Sequence, residues 1–183
     1  MKLDQISGLL HQADYMPSPN QDERPDPGDI DTLVIHAISL PPDCFGGCHV
    51  EELFTNCLDP DQHSYFAEIQ HLRVSAHFLI KRSGQLLQFV PTTMRAWHAG
   101  ESCFDGRDKV NDFSIGIELE GCDTSEFETP QYERLAELTH VICNAYPAIT
   151  SDRIVGHCDV SPGRKTDPGP CFDWSSYREL LKT

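Results

Sequence analysis

Nowhere in this sequence do about 18 apolar residues follow one another, the length a membrane-spanning helix needs, and the opening MKLDQISGLL carries Asp4 where a signal peptide would need a continuous apolar run. The chain therefore reads as a soluble protein that is not exported, with the cytoplasm as its expected compartment. Positive charge is scarce: 14 Lys and Arg stand against 29 Asp and Glu, a formal net charge of −15. That balance argues against nucleic acid, membranes and anionic cell-wall polymers as general partners, and suits an enzyme of small molecules. Most of the acidity needs no function beyond a solvated surface.

C-x-x-C pairs are missing as well. Without a secretion signal, the eight cysteines read as reduced thiols, most of them in core or near-surface packing, not as a disulfide framework. Cys44, Cys48 and His49, in CFGGCH, are close enough to suggest a second metal site, but no matching pair elsewhere completes the four ligands of structural zinc. Internal repeats, low-complexity tracts and glycine-rich phosphate loops are absent too.

What is present suffices for one core. At 183 residues and 39% hydrophobic content, one globular domain is expected, with residues 1–31 as an N-terminal surface arm and 32–183 as the catalytic core. The arm follows from Tyr15 to Asp31, where four prolines among acidic residues oppose both helix and interior strand. Thr32–Ile35, TLVI, reads as a strand buried on both faces. His77–Val90 reads as a β-hairpin turning near Gly84. In FSIGIELEG, Phe113, Ile115, Ile117 and Leu119 face the core, while Ser114, Gly116, Glu118 and Glu120 face a cleft. Thr129 with Pro130 predicts a helix N-cap ahead of the stripe Leu135, Leu138, Val141 and Ile142, and a shorter helix is expected from near Asp173.

The chemistry gathers in IVGHCDVSPGRKTDPGP, Ile154–Pro170. It supplies an imidazole (His157), an ammonium (Lys165) and a carboxylate (Asp167) on a loop stiffened by Pro and Gly. Such a set points to a metal with an open coordination position, and His36, which ends TLVI as His157 ends IVG, is the third ligand offered. Two such strands bring both imidazoles to one sheet edge. Glu118, on the cleft face beside Gly116, whose missing side chain leaves space for a ligand, is the candidate base. Lys165, two residues from Asp167, is placed to stabilise an oxyanion. His11, His63, His71 and His140 have no comparable setting.

LVIHAISLPP, FGG, RVSAHFLI, RAWHAGES, NDFSIGIELEG and RKTDPGP, in this order over nearly the whole chain, closely resemble the cytosolic 1,6-anhydro-N-acetylmuramyl-L-alanine amidases of the AmpD type, within the zinc amidase and peptidoglycan recognition protein superfamily. The resemblance implies an α/β domain with a central mixed sheet flanked by helices. It implies one zinc ion on His36, His157 and Asp167, Glu118 as acid and base, and Lys165 on the tetrahedral intermediate. It further implies hydrolysis of the amide between the lactyl group of anhydromuramic acid and L-alanine, with a muropeptide as partner and no obligatory protein partner. Arg73 and Arg107 are candidates for stem-peptide carboxylates, and Trp97 for a flat wall against the sugar, with His98 orienting that wall. Ala37 departs from the pattern, which often has Asn after the first histidine. Two other readings share the fold: a peptidoglycan-binding module without turnover, which a missing ligand or base would favour, and an endolysin, which a signal, a basic surface or a wall-binding domain would favour.

Overall fold

The computed structural model describes residues 1–182. β1 (Leu3–Asp4) and β2 (Leu9–Leu10) form a small hairpin. β3 (Asp14–Tyr15) joins the main sheet at its edge, and β4 (Gln21–Glu23) pairs with β8 (Met94–Ala96). β5 (Thr32–Ile38), α1 (His49–Phe54), α2 (Ser64–Ile69) and the hairpin β6 (Phe78–Ile80) and β7 (Leu86–Gln88) follow. β9 (Cys103–Phe104) and β10 (Arg107–Asp108) make a short ribbon ahead of β11 (Ser114–Glu120). α3 (Thr129–Ala145), β12 (Ile154–Gly156), α4 (His157–Val160) and α5 (Trp174–Leu180) complete the chain.

The main sheet runs β12-β5-β11-β6-β7-β3. β12, β5, β11 and β6 are mutually parallel, while β6 and β7 are antiparallel, so the sheet is mixed, as expected. Alternate side chains divide its faces. Leu33, Ile35, Ile115, Ile117, Phe78 and Ile80 pack with Leu135, Leu138 and Ile142 of α3 and Tyr177 of α5. Leu79 and Leu87 point the other way, into Leu53 and Phe54 of α1 and Phe66 of α2. His36 and Glu118 belong to this second face.

Two expectations are corrected here. Residues 1–31 are more than a surface arm: Arg24 is buried and its guanidinium donates to the carbonyls of Thr92, Asn111, Asp112 and Ser114, tying the segment to the start of β11. A guanidinium carries enough donors to satisfy four backbone acceptors that no hydrophobic residue could. The long helix is capped by Glu128 instead of Thr129, with the Glu128 N–H donating to Gln131 Oε1 at 3.0 Å. Gln131 in turn donates to the carbonyls of Ile80 and Glu120, which explains a buried amide under the helix. The cysteines are all free thiols, as expected: Cys44, Cys48, Cys57 and Cys103 are exposed and the other four half-buried, Cys143 among the side chains packed against the core. Among the described residues no helix is long and apolar enough to cross a membrane.

Candidate metal centre and active site

Parallel pairing sets the site. β5 and β11 run in register with His36 opposite Glu118, and β12 flanks β5 with Gly156 opposite Ile35. The next residue, His157, opens α4 beside His36, the two ring centroids 4.4 Å apart. Asp167 arrives from the loop. A Cβ on Gly156 would stand 2.8 Å from Pro168 Cδ, so the glycine is what lets that loop close over the end of β12. There the Cys158 N–H donates to the Asp167 carbonyl at 2.9 Å. Asp167 Oδ2 then lies 3.0 Å from His157 Nδ1 and 3.2 Å from His36 Nδ1, and the two Nδ1 atoms are 3.0 Å apart.

The hydrogens decide what this triangle holds. His157 Nε2 faces the Ala99 carbonyl at 3.1 Å, a group that only accepts, so the ring's hydrogen sits on Nε2 and Nδ1 keeps a lone pair. Burial pulls His36 down to about 4 against the opposing pull of Asp167, so it is neutral at pH 7. Burial alone would raise Asp167, but its contacts with His157 and His36 hold it far below the ordinary carboxylate range. One hydrogen on His36 Nδ1 satisfies at most one of its two neighbours, so lone pairs still confront one another. A cation among them removes the conflict. The separations fit a small ion, since ligands about 2.0–2.1 Å from zinc stand roughly 3.3 Å apart in a tetrahedron, and three ligands with an open fourth position is the catalytic pattern. Among the described residues this is the one cluster of three His, Cys, Asp or Glu side chains with donor atoms within 4.8 Å of one another. Cys48 and His49 both turn to Glu52 of α1, in keeping with the sequence reading that the CFGGCH segment lacks the partners of a structural zinc site.

Glu118 Oε1 lies 4.0 Å from His36 Nδ1, while its Oε2 is buried without a hydrogen-bond partner. Burial, then the nearby Asp167, push this carboxyl well above the ordinary range, and Lys165 pulls it back. Lys165 is exposed at the rim, with no ion pair among the described residues. These groups open onto a cavity of about 320 Å³ whose far wall is apolar, with Leu53 and Phe54 from α1 and Tyr65 and Ile69 from α2.

Residues 26–170 match the profile of the N-acetylmuramoyl-L-alanine amidases. The chain belongs to this family and is an amidase. The 1,6-anhydro-N-acetylmuramyl-L-alanine amidase AmpD of Haemophilus influenzae is 57% identical over 96% of this chain and 95% of its own length. AmpD of Escherichia coli is 53% identical over 95% and 94%. A crystal structure of a selenomethionine AmpD derivative, 52% identical, covers 99% of both chains at a TM-score of 0.95. AmiD of Escherichia coli, solved with anhydro-N-acetylmuramic acid-L-Ala-D-γ-Glu-L-Lys, is 31% identical over 83% of this chain and 57% of its own, at a TM-score of 0.62.

Within this amidase the residues expected to bind substrate fare differently. Trp97 lines the cavity, its indole Nε1 donating to Asp22 at 3.1 Å. Arg73 lies on the surface outside the lining and donates to the Gln70 and Leu72 carbonyls. Arg107 is committed elsewhere: it pairs with Asp29 and Asp31 and lies 3.8 Å over the Phe113 ring, so it clamps the entry to β5 and leaves no free fork for a ligand. The space above Gly116 is not open either, because the ring of His98 fills it. His98 turns from the Trp97 wall to His36, its Nδ1 2.9 Å from His36 Nε2. The apolar wall from α1 and α2 had no signal in the sequence beyond ordinary helix patterning.

Proposed function

We propose that this amidase uses one zinc ion, on His36, His157 and Asp167, to hydrolyse the amide between the lactyl group of 1,6-anhydro-N-acetylmuramic acid and L-alanine in soluble fragments of cell-wall recycling in the cytoplasm. The observation that carries it is the convergence of three metal donors beside a buried carboxylate with one unpaired oxygen. The names of its near full-length relatives supply the substrate class, and the AmiD complex holds an anhydromuramyl peptide in a related fold.

His36, His157 and Asp167 would hold the zinc ion, which would supply Lewis acidity to a water and to the scissile carbonyl. Glu118 takes the proton of the attacking water and returns one to the departing amine of L-alanine; its unpaired Oε2 is the free acceptor for this. The Lys165 ammonium stabilises the oxyanion and, by its charge, favours the ionised form of Glu118. Trp97, in the cavity lining, offers an apolar face to the sugar, and Arg73, exposed and next in sequence to lining residue Leu72, is the candidate for a stem-peptide carboxylate.

Metal analysis of the purified protein, with mass spectrometry of products from anhydromuropeptide and from intact wall, tests this reading. One equivalent of zinc and cleavage of the soluble fragment are expected. A net charge of −15 disfavours accumulation on an anionic polymer. Faster cleavage of polymeric wall, or recovery of the native protein outside the cytoplasm, would favour the endolysin reading.

A further inference from the structure

The ring of His98 is buried against β11 where Gly116 leaves room for it. A Cβ at Gly116 would stand 2.5 Å from His98 Cγ and 2.6 Å from its Nδ1, so no side chain fits there while the ring keeps its place. The seat is also fixed from the backbone, because the N–H groups of His98 and Ala99 both donate to Asn111 Oδ1, at 3.2 and 2.8 Å. Seated in this way, His98 presents Nδ1 to His36 Nε2 at 2.9 Å and Nε2 to Ser114 Oγ at 3.1 Å. His157 needs no such device. Its Nε2 faces a backbone carbonyl, which no substitution removes.

We propose that His98 is a positioning residue for the first metal ligand: its Nδ1 accepts the Nε2–H of His36, fixing the tautomer that leaves His36 Nδ1 free for the ion, and position 116 is glycine because His98 occupies its side-chain space. The hydrogens run one per link, from His36 Nε2 to His98 Nδ1 and from His98 Nε2 to Ser114 Oγ. The hydroxyl at the end of the chain accepts at no cost to its own donor. A ligating histidine whose second nitrogen is held by an outer partner is oriented and made more basic, and loss of that partner typically weakens metal binding about 10–100-fold.

This inference rests on the zinc reading above, and the two are separable by titrating the metal-free full-length protein with zinc against a competing chelator. His98→Ala is expected to weaken zinc binding by about 10–100-fold. His98→Asn, whose Oδ1 stands where Nδ1 stood, should recover most of the loss. Gly116→Ala removes no polar group, yet should weaken zinc through displacement of the ring. The double variant Gly116→Ala/His98→Ala should then be no weaker than His98→Ala alone, because the displaced group is gone. Melting of the metal-free variants separates positioning from packing: a packing residue lowers the metal-free Tm, whereas a positioning residue lowers the rise in Tm that zinc confers. Unchanged zinc affinity in His98→Ala, no recovery in His98→Asn, or a Gly116→Ala loss fully additive to that of His98→Ala would each overturn the inference while wild-type zinc binding stands. A wild type that takes up no zinc would overturn the metal reading and this inference with it.

Discussion

His36 and Glu118 are register partners on adjacent parallel strands, with His36 Nδ1 4.0 Å from Glu118 Oε1. One ladder of backbone hydrogen bonds therefore sets the proposed metal ligand beside the proposed acid/base carboxylate, and both side chains leave the sheet on the same face. Binding and proton transfer can accordingly be separated by mutation without moving either strand.

His36→Ala, His157→Ala and Asp167→Ala should each lose the stoichiometric metal that the wild type retains, and chelation of the wild type should abolish turnover. Elemental analysis after gel filtration reads this out. Full zinc content with full activity in His157→Ala would move the site elsewhere.

Glu118→Gln and Lys165→Ala should keep zinc and fold but lose on the order of 10²-fold or more in kcat, since the proposed mechanism makes neither a ligand and has each act on the transition state. Burial holds Glu118 above the ordinary carboxylate range in the metal-free protein and a bound cation lowers it, so kcat/KM of the zinc-loaded wild type should fall at low pH, as Glu118 takes up the proton that disables it as a base. A near-normal kcat in either variant removes that residue from the mechanism.

Burial holds His36, His77 and His98 below the ordinary histidine value of 6.5. In the metal-free protein the unfolded chain therefore takes up protons near 6.5 that the folded chain refuses, His36 until about 4. Stability must fall as pH is lowered across that window, with each histidine contributing a slope of up to about 1.4 kcal/mol per pH unit. Urea unfolding in chelator at several pH values measures it. A flat profile between pH 6.5 and 4 would contradict the burial of these rings.

Arg24→Leu should destabilise by roughly 2–4 kcal/mol, because it strands buried carbonyls of Thr92 and Ser114 that the guanidinium satisfies. Denaturant unfolding with unchanged zinc content checks it. A loss below a few tenths of a kcal/mol would return residues 1–31 to the status of a surface arm.

Arg107→Ala should shift the denaturation midpoint and leave KM unchanged, since its guanidinium is occupied by Asp29, Asp31 and Phe113. Trp97→Ala should do the reverse and raise KM for anhydromuropeptide. Steady-state kinetics on both variants decides between a clamp and a substrate contact.

Local pattern determined much of this protein. The β-branched runs TLVI and IVG, the alternation in FSIGIELEG and the loop KTDPGP identify three strands and a stiff turn, and with them the candidates His36, His157, Glu118, Lys165 and Asp167. Each lies at a strand end, on a strand face or in a turn, where spacing alone carries the information. What only the tertiary structure decided involves partners distant in sequence. Arg107 looked free until Asp29 and Asp31 closed on it, and the buried tie of Arg24 to Ser114 spans 90 residues. Gly116 marked an open space by sequence, yet that space belongs to His98, 18 positions earlier in the chain. Periodicity specifies which face a residue occupies, whereas which ring fills that face depends on loops whose approach no local pattern encodes.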